Sequence, residues 1–184
     1  MRQLKHHEQK VLKKVKFAAD WRKGDNLREI KIMRKYLIQD RDDYEHYNRL
    51  AGMITRFVAK MKRLPEDDPI RIELSDALLE KCYNLGLIPS KTSLVQLDQI
   101  PASKFIRRRL PVVMVRLHMA EHLKHAVTLI EQGHIRVGLE VVTDPSFHVT
   151  RQQEDFITWS DGSIIRKKVK AFNGTADDFD LQGE

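Results

Sequence analysis

Four arginines that lie close together in the sequence are the residues of this chain best suited to bind a charged ligand. Arg107, Arg108 and Arg109 are consecutive, and Arg116 follows seven residues after Arg109. Seven residues is close to two turns of an α-helix, so Arg109 and Arg116 are expected to project from one helix face. A guanidinium group can donate a pair of parallel hydrogen bonds to a phosphate. We therefore predict that these arginines contact the phosphates of a nucleic acid.

The alternative is that the arginine cluster only forms the solvated first turn of a helix. Cations at the N-terminus of a helix oppose the helix dipole, which favours negative charge at that end. A purely structural interpretation leaves this unfavourable cluster unexplained, so we favour the binding role.

A second group of polar residues, His118, His122 and His125, has spacings of four and three that could place three imidazoles on one side of a helix. The apolar spacing is interrupted near Met119, however, and no pair of carboxylates lies nearby. The sequence also has no Gly-rich phosphate loop, nucleophile elbow or HExxH motif. We therefore expect no metal site, no cofactor and no catalytic residues.

The charge distribution favours a polyanionic partner. The chain has a formal net charge of +7 and a pI of about 9.5. Residues 1–64 contain 18 basic and 8 acidic residues, whereas residues 171–184 contain no basic and 4 acidic residues. The single cysteine suits a reducing compartment such as the nucleus or cytosol, and no apolar run approaches the ~20 residues needed to cross a bilayer. We expect neither a membrane nor a small-molecule substrate as a partner.

Hydrophobic periodicity predicts the elements that position these residues. Helices are expected from Leu4 to Val15 and over residues 27–39, 42–64 and 75–85, followed by a loop with one helical turn at 87–103. Two short helices are expected from Leu110 and from Leu123, with Gly133 ending the second. Short strands are then expected from His134, at 141–142, at 147–149 and at 156–159.

This order of two helices, a Gly-His pair and strands resembles the S4-type RNA-binding domain, or alpha-L motif. The resemblance is carried by residues 108–110, 116–117, 120, 126, 129–130, 133–135, 137, 144–145, 149 and 155. It implies an α+β fold with three parts. A basic helical region (1–106) precedes an S4-type module (107–160) of two helices and a short twisted antiparallel sheet, and a C-terminal extension (161–184) ends in a mobile acidic tail.

The resemblance also implies roles for residues on both sides of Gly133. His134 and Arg136 alternate on the first strand and are expected to share a face beside the helix pair, in the RNA groove. Lys124 and Gln132 are weaker candidates, for which ordinary exposed polar residues are an equal alternative. At the N-terminus, Lys10, Lys13 and Lys14 could bind phosphates, serve as a nucleolar address or merely form a solvated helix face.

The chain departs from the S4 pattern at Leu123 and Val127, where the second helix of the family usually carries arginines. These two residues are four apart and form an apolar strip. The strip either packs internally or contacts a protein partner. If it is exposed, the module binds RNA with one helix and protein with the other.

A wider resemblance covers segments 4–10, 107–112, 154–159 and 177–180. It is to the family of S4-like components of the eukaryotic U3 small nucleolar ribonucleoprotein. The implied role is non-catalytic: a nucleolar assembly factor of the small-subunit processome that binds U3 RNA and promotes its pairing with precursor ribosomal RNA during 18S maturation, together with scaffold proteins. Alternatives are a structural small-subunit ribosomal protein of the S4 family and a protein-protein scaffold adaptor with secondary RNA contacts.

Overall fold

The first part of the chain is helical, as the apolar spacing predicts. The computed structural model describes residues 3, 5–15 and 26–175, with only the backbone for residues 11–15 and 26. The helices of this part are α1 (His6–Val15), α2 (Asn26–Tyr36), α3 (Arg41–Met61), α4 (Pro69–Asn84), a 3-10 turn (Leu94–Leu97) and α5 (Ala102–Ile106).

The start of α4 differs from the sequence prediction, because the helix begins at Pro69 and not at Ser75. The Asp68 side chain accepts a hydrogen bond from the Ile70 amide at 3.0 Å and caps the helix. Pro69 occupies the first helical position. The N–H of that position makes no hydrogen bond within a helix, so a proline, which lacks this N–H, is tolerated there. Pro69 therefore starts this helix, six residues before the predicted position.

The core of the helical region forms on one face of α3. Tyr47, Ala51, Val58 and Met61 are buried along this helix, and the Tyr47 ring stacks on Phe105 of α5 with 6.2 Å between ring centroids. The other buried members come from α4, α5 and the segments beside them, and include Leu79, Cys82, Leu87, Ile88, Leu97 and Ile106.

A second core begins at Leu110 and belongs to the S4-type module. It lies between α6 (Leu110–Arg116), α7 (Leu123–Glu131) and the antiparallel sheet of β1 (Ile135–Val137), β2 (Glu140–Val141) and β3 (Ile157–Trp159). The sheet order is β2-β1-β3. The predicted pair of helices and the short antiparallel sheet are thus confirmed.

Two residues with positive φ define the ends of the module helices. Gly133 has φ +72°, and the amide of the following His134 donates to the Leu129 carbonyl at 3.0 Å, which ends α7 as the sequence predicts. His118 has φ +58° and ends α6 in the same way. The predicted interruption of the helix near Met119 is therefore present one residue earlier.

The segment 147–149 does not form the predicted strand. It makes one isolated bridge, between His148 and Arg109. The Val149 amide donates to the Arg108 carbonyl at 2.8 Å, and the Leu110 amide donates to the Phe147 carbonyl at 2.9 Å. The hydrogen bonding between residues 147–149 and residues 108–110 cannot continue as a pair of β-strands, because α6 begins directly after Arg109.

Two helices in the C-terminal part were not predicted. The helical turn α8 (Arg151–Glu154) begins with a capping box in which Thr150 and Gln153 exchange side-chain and backbone hydrogen bonds. Helix α9 (Ile164–Phe172) lies in the segment that the sequence assigned to an extension. The acidic tail at 177–180 lies outside the described residues. Across the described part of the chain, every helix is too short or too polar to span a membrane.

Candidate nucleic-acid interface

Arg108 is buried, with 6% of its surface exposed, and is bonded to the protein itself. Its Nε donates to the Val149 carbonyl at 2.9 Å, and its Nη1 donates to Glu154 Oε2 at 2.7 Å. The side chain passes so close to Gly86 that a Cβ at that position would lie 2.7 Å from Arg108 Nε. Arg108 is therefore not the exposed side chain that phosphate binding was expected to need, because its guanidinium group is bonded to two partners inside the module.

Arg109 is also buried, with 4% exposed. Its Nη1 donates to Asp43 Oδ2 at 2.8 Å, and its Nη2 donates to Ser146 Oγ at 3.1 Å. Ser146 Oγ in turn donates to Asp43 Oδ2 at 2.9 Å, which closes a three-residue network. The guanidinium carbon lies 6.0 Å from the centroid of the Tyr47 ring. Arg109 is likewise not exposed, because Asp43 and Ser146 occupy its guanidinium group.

These ion pairs explain why positively charged side chains are tolerated at the N-terminus of α6, where the helix dipole favours negative charge. Arg109 is the N-cap residue, and its positive charge is compensated by Asp43. Arg108 is compensated by Glu154. The sequence reasoning missed both carboxylates because they are 66 and 46 residues away from their arginines. No spacing rule connects positions so far apart.

Arg107 and Arg116 are the two members of the cluster that remain accessible. Arg107 is exposed, and its Nε donates to the Tyr36 hydroxyl at 3.0 Å. Arg116 is 51% exposed and forms an ion pair with Glu154 through its Nη2. Their guanidinium groups keep free surface for a phosphate, so RNA contact by these two residues stays a prediction.

The Glu154 carboxylate is shared by Arg108 and Arg116. Burial alone would raise its pKa, but the hydrogen bonds and charges of the two arginines outweigh burial and hold the pKa below its ordinary value. Glu154 is therefore ionised in the folded protein. It occupies, next to Arg116, the kind of position that a phosphate oxygen could take.

His134 and Arg136 flank the inward-facing Ile135 of β1, as the alternation predicts. Arg136 lies across from Thr158 of β3, to which its Nε donates at 2.9 Å, and its Nη1 donates to Asp161. His134 Nδ1 lies 3.0 Å from Ser163 Oγ. Both side chains are half-buried, so part of each is available to a ligand.

The weaker candidates on α7 lie at the surface. Lys124 and Gln132 are exposed. Leu123 and Val127 are half-buried and are not among the residues packed against the module core. Of the two alternatives for this apolar strip, packing in the module core is therefore not found.

The remaining candidates are distributed as follows. Lys10 is exposed on α1, whereas the side chains of Lys13 and Lys14 lie outside the described residues. His118 is separated from His122 and His125 by the left-handed turn that ends α6. Within residues 5–15 and 26–175, no group of His, Cys, Asp or Glu is placed to hold a metal ion.

Residues 3–100 match the family model of the ribosomal protein S4/S9 N-terminal domain, and residues 108–155 match that of the S4 domain. The U3 small nucleolar ribonucleoprotein protein IMP3 of Homo sapiens is 49% identical over 183 residues, 99% of both chains. The protein of the same name in Saccharomyces cerevisiae is 45% identical over 182 residues, which are 98% of this chain and 99% of the yeast protein.

Similarity to ribosomal proteins is weaker. The small ribosomal subunit protein uS4 of Trypanosoma brucei brucei is 28% identical over 137 residues, 74% of this chain and 72% of that protein. The nearly complete coverage at much higher identity lies with the U3 proteins. The chain therefore belongs to the S4-domain family of U3 small nucleolar ribonucleoprotein proteins.

Proposed function

We propose that this protein is a non-catalytic RNA-binding component of the U3 small nucleolar ribonucleoprotein. The observation that carries the proposal is the similarity over almost the whole chain to relatives whose names place them in that particle. The S4 domain at residues 108–155 supplies the RNA-binding unit. The protein works in the nucleolus, within the small-subunit processome and in contact with its scaffold proteins.

The accessible cations of the module support an RNA-binding surface. Arg107, Arg116 and Lys124 keep exposed side chains, and Arg136 is partly exposed beside β1. These groups can contact phosphates while the buried Arg109 pairs with Asp43 of the helical region and the buried Arg108 is bonded within the module. Burial distinguishes the two groups of cations, because a guanidinium group buried against a carboxylate has little surface left for a phosphate.

The function of this surface is to promote pairing of U3 RNA with precursor ribosomal RNA during 18S maturation. Two RNA strands repel each other through their phosphates, and a bound basic protein replaces the counterions and lowers that repulsion. Pairing then proceeds faster without any bond being made or broken by the protein. No group of the protein is required to act as an acid, a base or a nucleophile.

Binding and annealing can be measured with the full chain. We would follow fluorescence anisotropy of a U3 5′ segment and of an unrelated structured RNA across a salt series. The test variant is Arg116→Ala/Lys124→Ala, and the control is Lys60→Ala/Lys81→Ala, which removes the same charge from exposed positions of α3 and α4. We expect preferential binding of U3 that weakens in the test variant and persists in the control.

The salt dependence gives a second criterion. For single strands the logarithm of the affinity falls by roughly 0.7 per contacted phosphate for each tenfold rise in salt. The test variant lacks two cations, so its salt slope should be smaller by the equivalent of about two phosphate contacts. Binding that ignores RNA identity, or equal loss in both variants, would contradict a role for the module surface and favour a scaffold adaptor that docks through Leu123 and Val127.

Annealing is tested by mixing a U3 segment with a complementary precursor segment and following duplex formation. We expect the protein to raise the pairing rate at low salt. A protein that binds both strands without accelerating their pairing would refute the annealing role and leave a purely structural one.

A further inference from the structure

Helix α9 is held in place at its N-terminus by the residues of the candidate interface. Its N-cap Ser163 is 2% exposed, and the Ser163 hydroxyl accepts a hydrogen bond from the Ile165 amide at 3.2 Å. The same hydroxyl lies 3.0 Å from His134 Nδ1. Asp161 pairs with both Arg136 of β1 and Arg166 of α9. The helix is therefore attached directly beside His134 and Arg136.

The C-terminal end of α9 is also well defined. Gly174 has φ +66°, and the Thr175 amide donates to the Lys170 carbonyl at 3.0 Å, which is the geometry of a Schellman motif. Phe172 lies in the last turn, before this stop signal, and is 92% exposed. The aromatic ring is therefore exposed on a regular helix whose end is capped.

One apolar stripe runs along the helix and becomes more exposed towards that end. Ile165 packs against the module core, Val169 is at the boundary with 36% exposed, and Phe172 is almost fully in solvent. The first turn therefore anchors the helix, whereas the last turn projects beyond the core. A large aromatic side chain at such a position stabilises nothing inside the module.

The charge of α9 is of one sign. Its nine residues include Arg166, Lys167, Lys168 and Lys170 and no acidic residue. Arg166 is compensated by Asp161, which lies just before the helix. Lys168 is exposed on the surface of the helix. A helix that carries four cations and a solvent-exposed aromatic ring matches the requirements of a single-stranded nucleic acid, whose phosphates need positive charge and whose bases stack on aromatic rings.

We propose that α9 is a binding site for single-stranded RNA, in which its basic side chains contact phosphates and Phe172 stacks on a base. The proposal rests on the RNA-binding function proposed above and extends the interface beyond the S4 module. RNA is favoured over an acidic protein or a membrane because α9 is attached to β1 at His134 and Arg136. These residues belong to the proposed RNA-binding surface, so a strand bound there lies beside the start of α9.

The test uses the full chain and a labelled single-stranded oligonucleotide with the sequence of the U3 5′ segment, beside a stable RNA hairpin. Phe172→Ala removes the stacking ring, and Phe156→Ala is the control, since Phe156 is also exposed but lies outside α9. Base stacking on an aromatic residue changes affinity roughly tenfold or more on alanine substitution. We expect that loss for the single strand with Phe172→Ala and not with Phe156→Ala.

Lys168→Glu tests the phosphate contacts independently, with Lys81→Glu on α4 as a control of equal charge change. Lys168→Glu should weaken single-strand binding and lower the salt slope, and Lys81→Glu should do neither. Circular dichroism and thermal melting establish that all four variants fold like the parent protein. Phe172 and Lys168 are exposed, so their replacement leaves the cores intact.

The outcomes separate the two proposals. If the parent protein binds neither single-stranded nor folded RNA, the proposed function fails, and this inference fails with it. If the parent binds RNA and both α9 variants bind the single strand equally well, the α9 site alone is refuted. Loss of binding to phosphatidylserine vesicles in Phe172→Ala, with single-strand affinity unchanged, would likewise overturn the RNA site and assign the helix to a membrane surface.

Discussion

Arg109 and Asp43 form an ion pair, 2.8 Å between Nη1 and Oδ2, that joins the S4-type module to helix α3 of the N-terminal region. The pair lies beside the stacked rings of Tyr47 and Phe105, and Ser146 contacts both partners. An arginine whose position in the sequence suggests RNA binding is thus a structural link between the two cores. Arg108 is also buried, but both of its hydrogen-bond partners, Val149 and Glu154, lie within the module.

The first prediction concerns this link. Asp43→Ala leaves the Arg109 guanidinium group buried without its counter-charge, which should lower the free energy of unfolding by about 3 kcal/mol. Urea denaturation followed by circular dichroism measures the change. Asp42→Ala removes a neighbouring exposed carboxylate of α3 and should cost less than about 1 kcal/mol. Equal effects of the two substitutions would show that the buried pair does not stabilise the joint.

The second prediction concerns pH and Glu154. Because its pKa in the folded protein is below the ordinary value of 4.5, its ionised form stabilises the fold. That contribution is fully present above the unfolded pKa and is lost as the pH falls from about 4.5 through the lower folded pKa. Glu154→Gln should therefore destabilise the protein at pH 7 and flatten the fall of stability below pH 4.5.

The measurement for Glu154 is a series of urea unfolding curves between pH 3 and pH 7. Other carboxylates titrate in the same range, so the difference between the two proteins at each pH is the informative quantity. Glu140→Gln is a suitable control because Glu140 is exposed on β2. A constant difference between parent and Glu154→Gln over the whole range would rule out a stabilising role of its charge.

The third prediction compares two glycines with positive φ. Gly133→Ala has space for a methyl group, with the closest atom at 3.6 Å, so the cost is the left-handed backbone, about 1 kcal/mol. Gly86→Ala carries the same backbone cost, and its Cβ would also lie 2.7 Å from Arg108 Nε. Arg108 cannot yield freely, because Val149 and Glu154 hold it, so we expect a total of about 3 kcal/mol.

Thermal and urea unfolding of both glycine variants distinguish these costs. Arg108→Ala/Gly86→Ala tests the coupling, since the second substitution should cost less once the guanidinium group is absent. Additive effects would mean that the close approach of Gly86 to Arg108 does not limit the residue at position 86.

The fourth prediction concerns Asp161, whose carboxylate pairs with Arg136 and Arg166. Asp161→Asn removes the one negative charge that both arginines share, so they become more attractive to phosphate. We expect RNA affinity to rise roughly two- to fivefold at low salt, because an exposed ion pair is worth at most about 1 kcal/mol. Anisotropy with the U3 segment measures it. An unchanged or lower affinity would mean that these arginines do not face RNA.

Several features could be predicted from local sequence because they depend on neighbouring residues. Gly133 ends α7 since only a residue tolerant of positive φ fits there. The alternation around Ile135 places Arg136 on the opposite face of β1. In contrast, α9 was missed although its stripe of Ile165, Val169 and Phe172 was visible in the sequence.

The sequence by itself determined the helical first part of the chain, the helix pair and sheet of the module and the family, because each depends on local periodicity, capping and motif order. Only the tertiary structure decided which cations are available to a ligand. Arg108 and Arg109 differ from Arg107 in burial, not in chemistry, and their burial is set by Glu154 and Asp43. Those carboxylates approach them only after the chain folds, and no pattern in neighbouring residues encodes that contact.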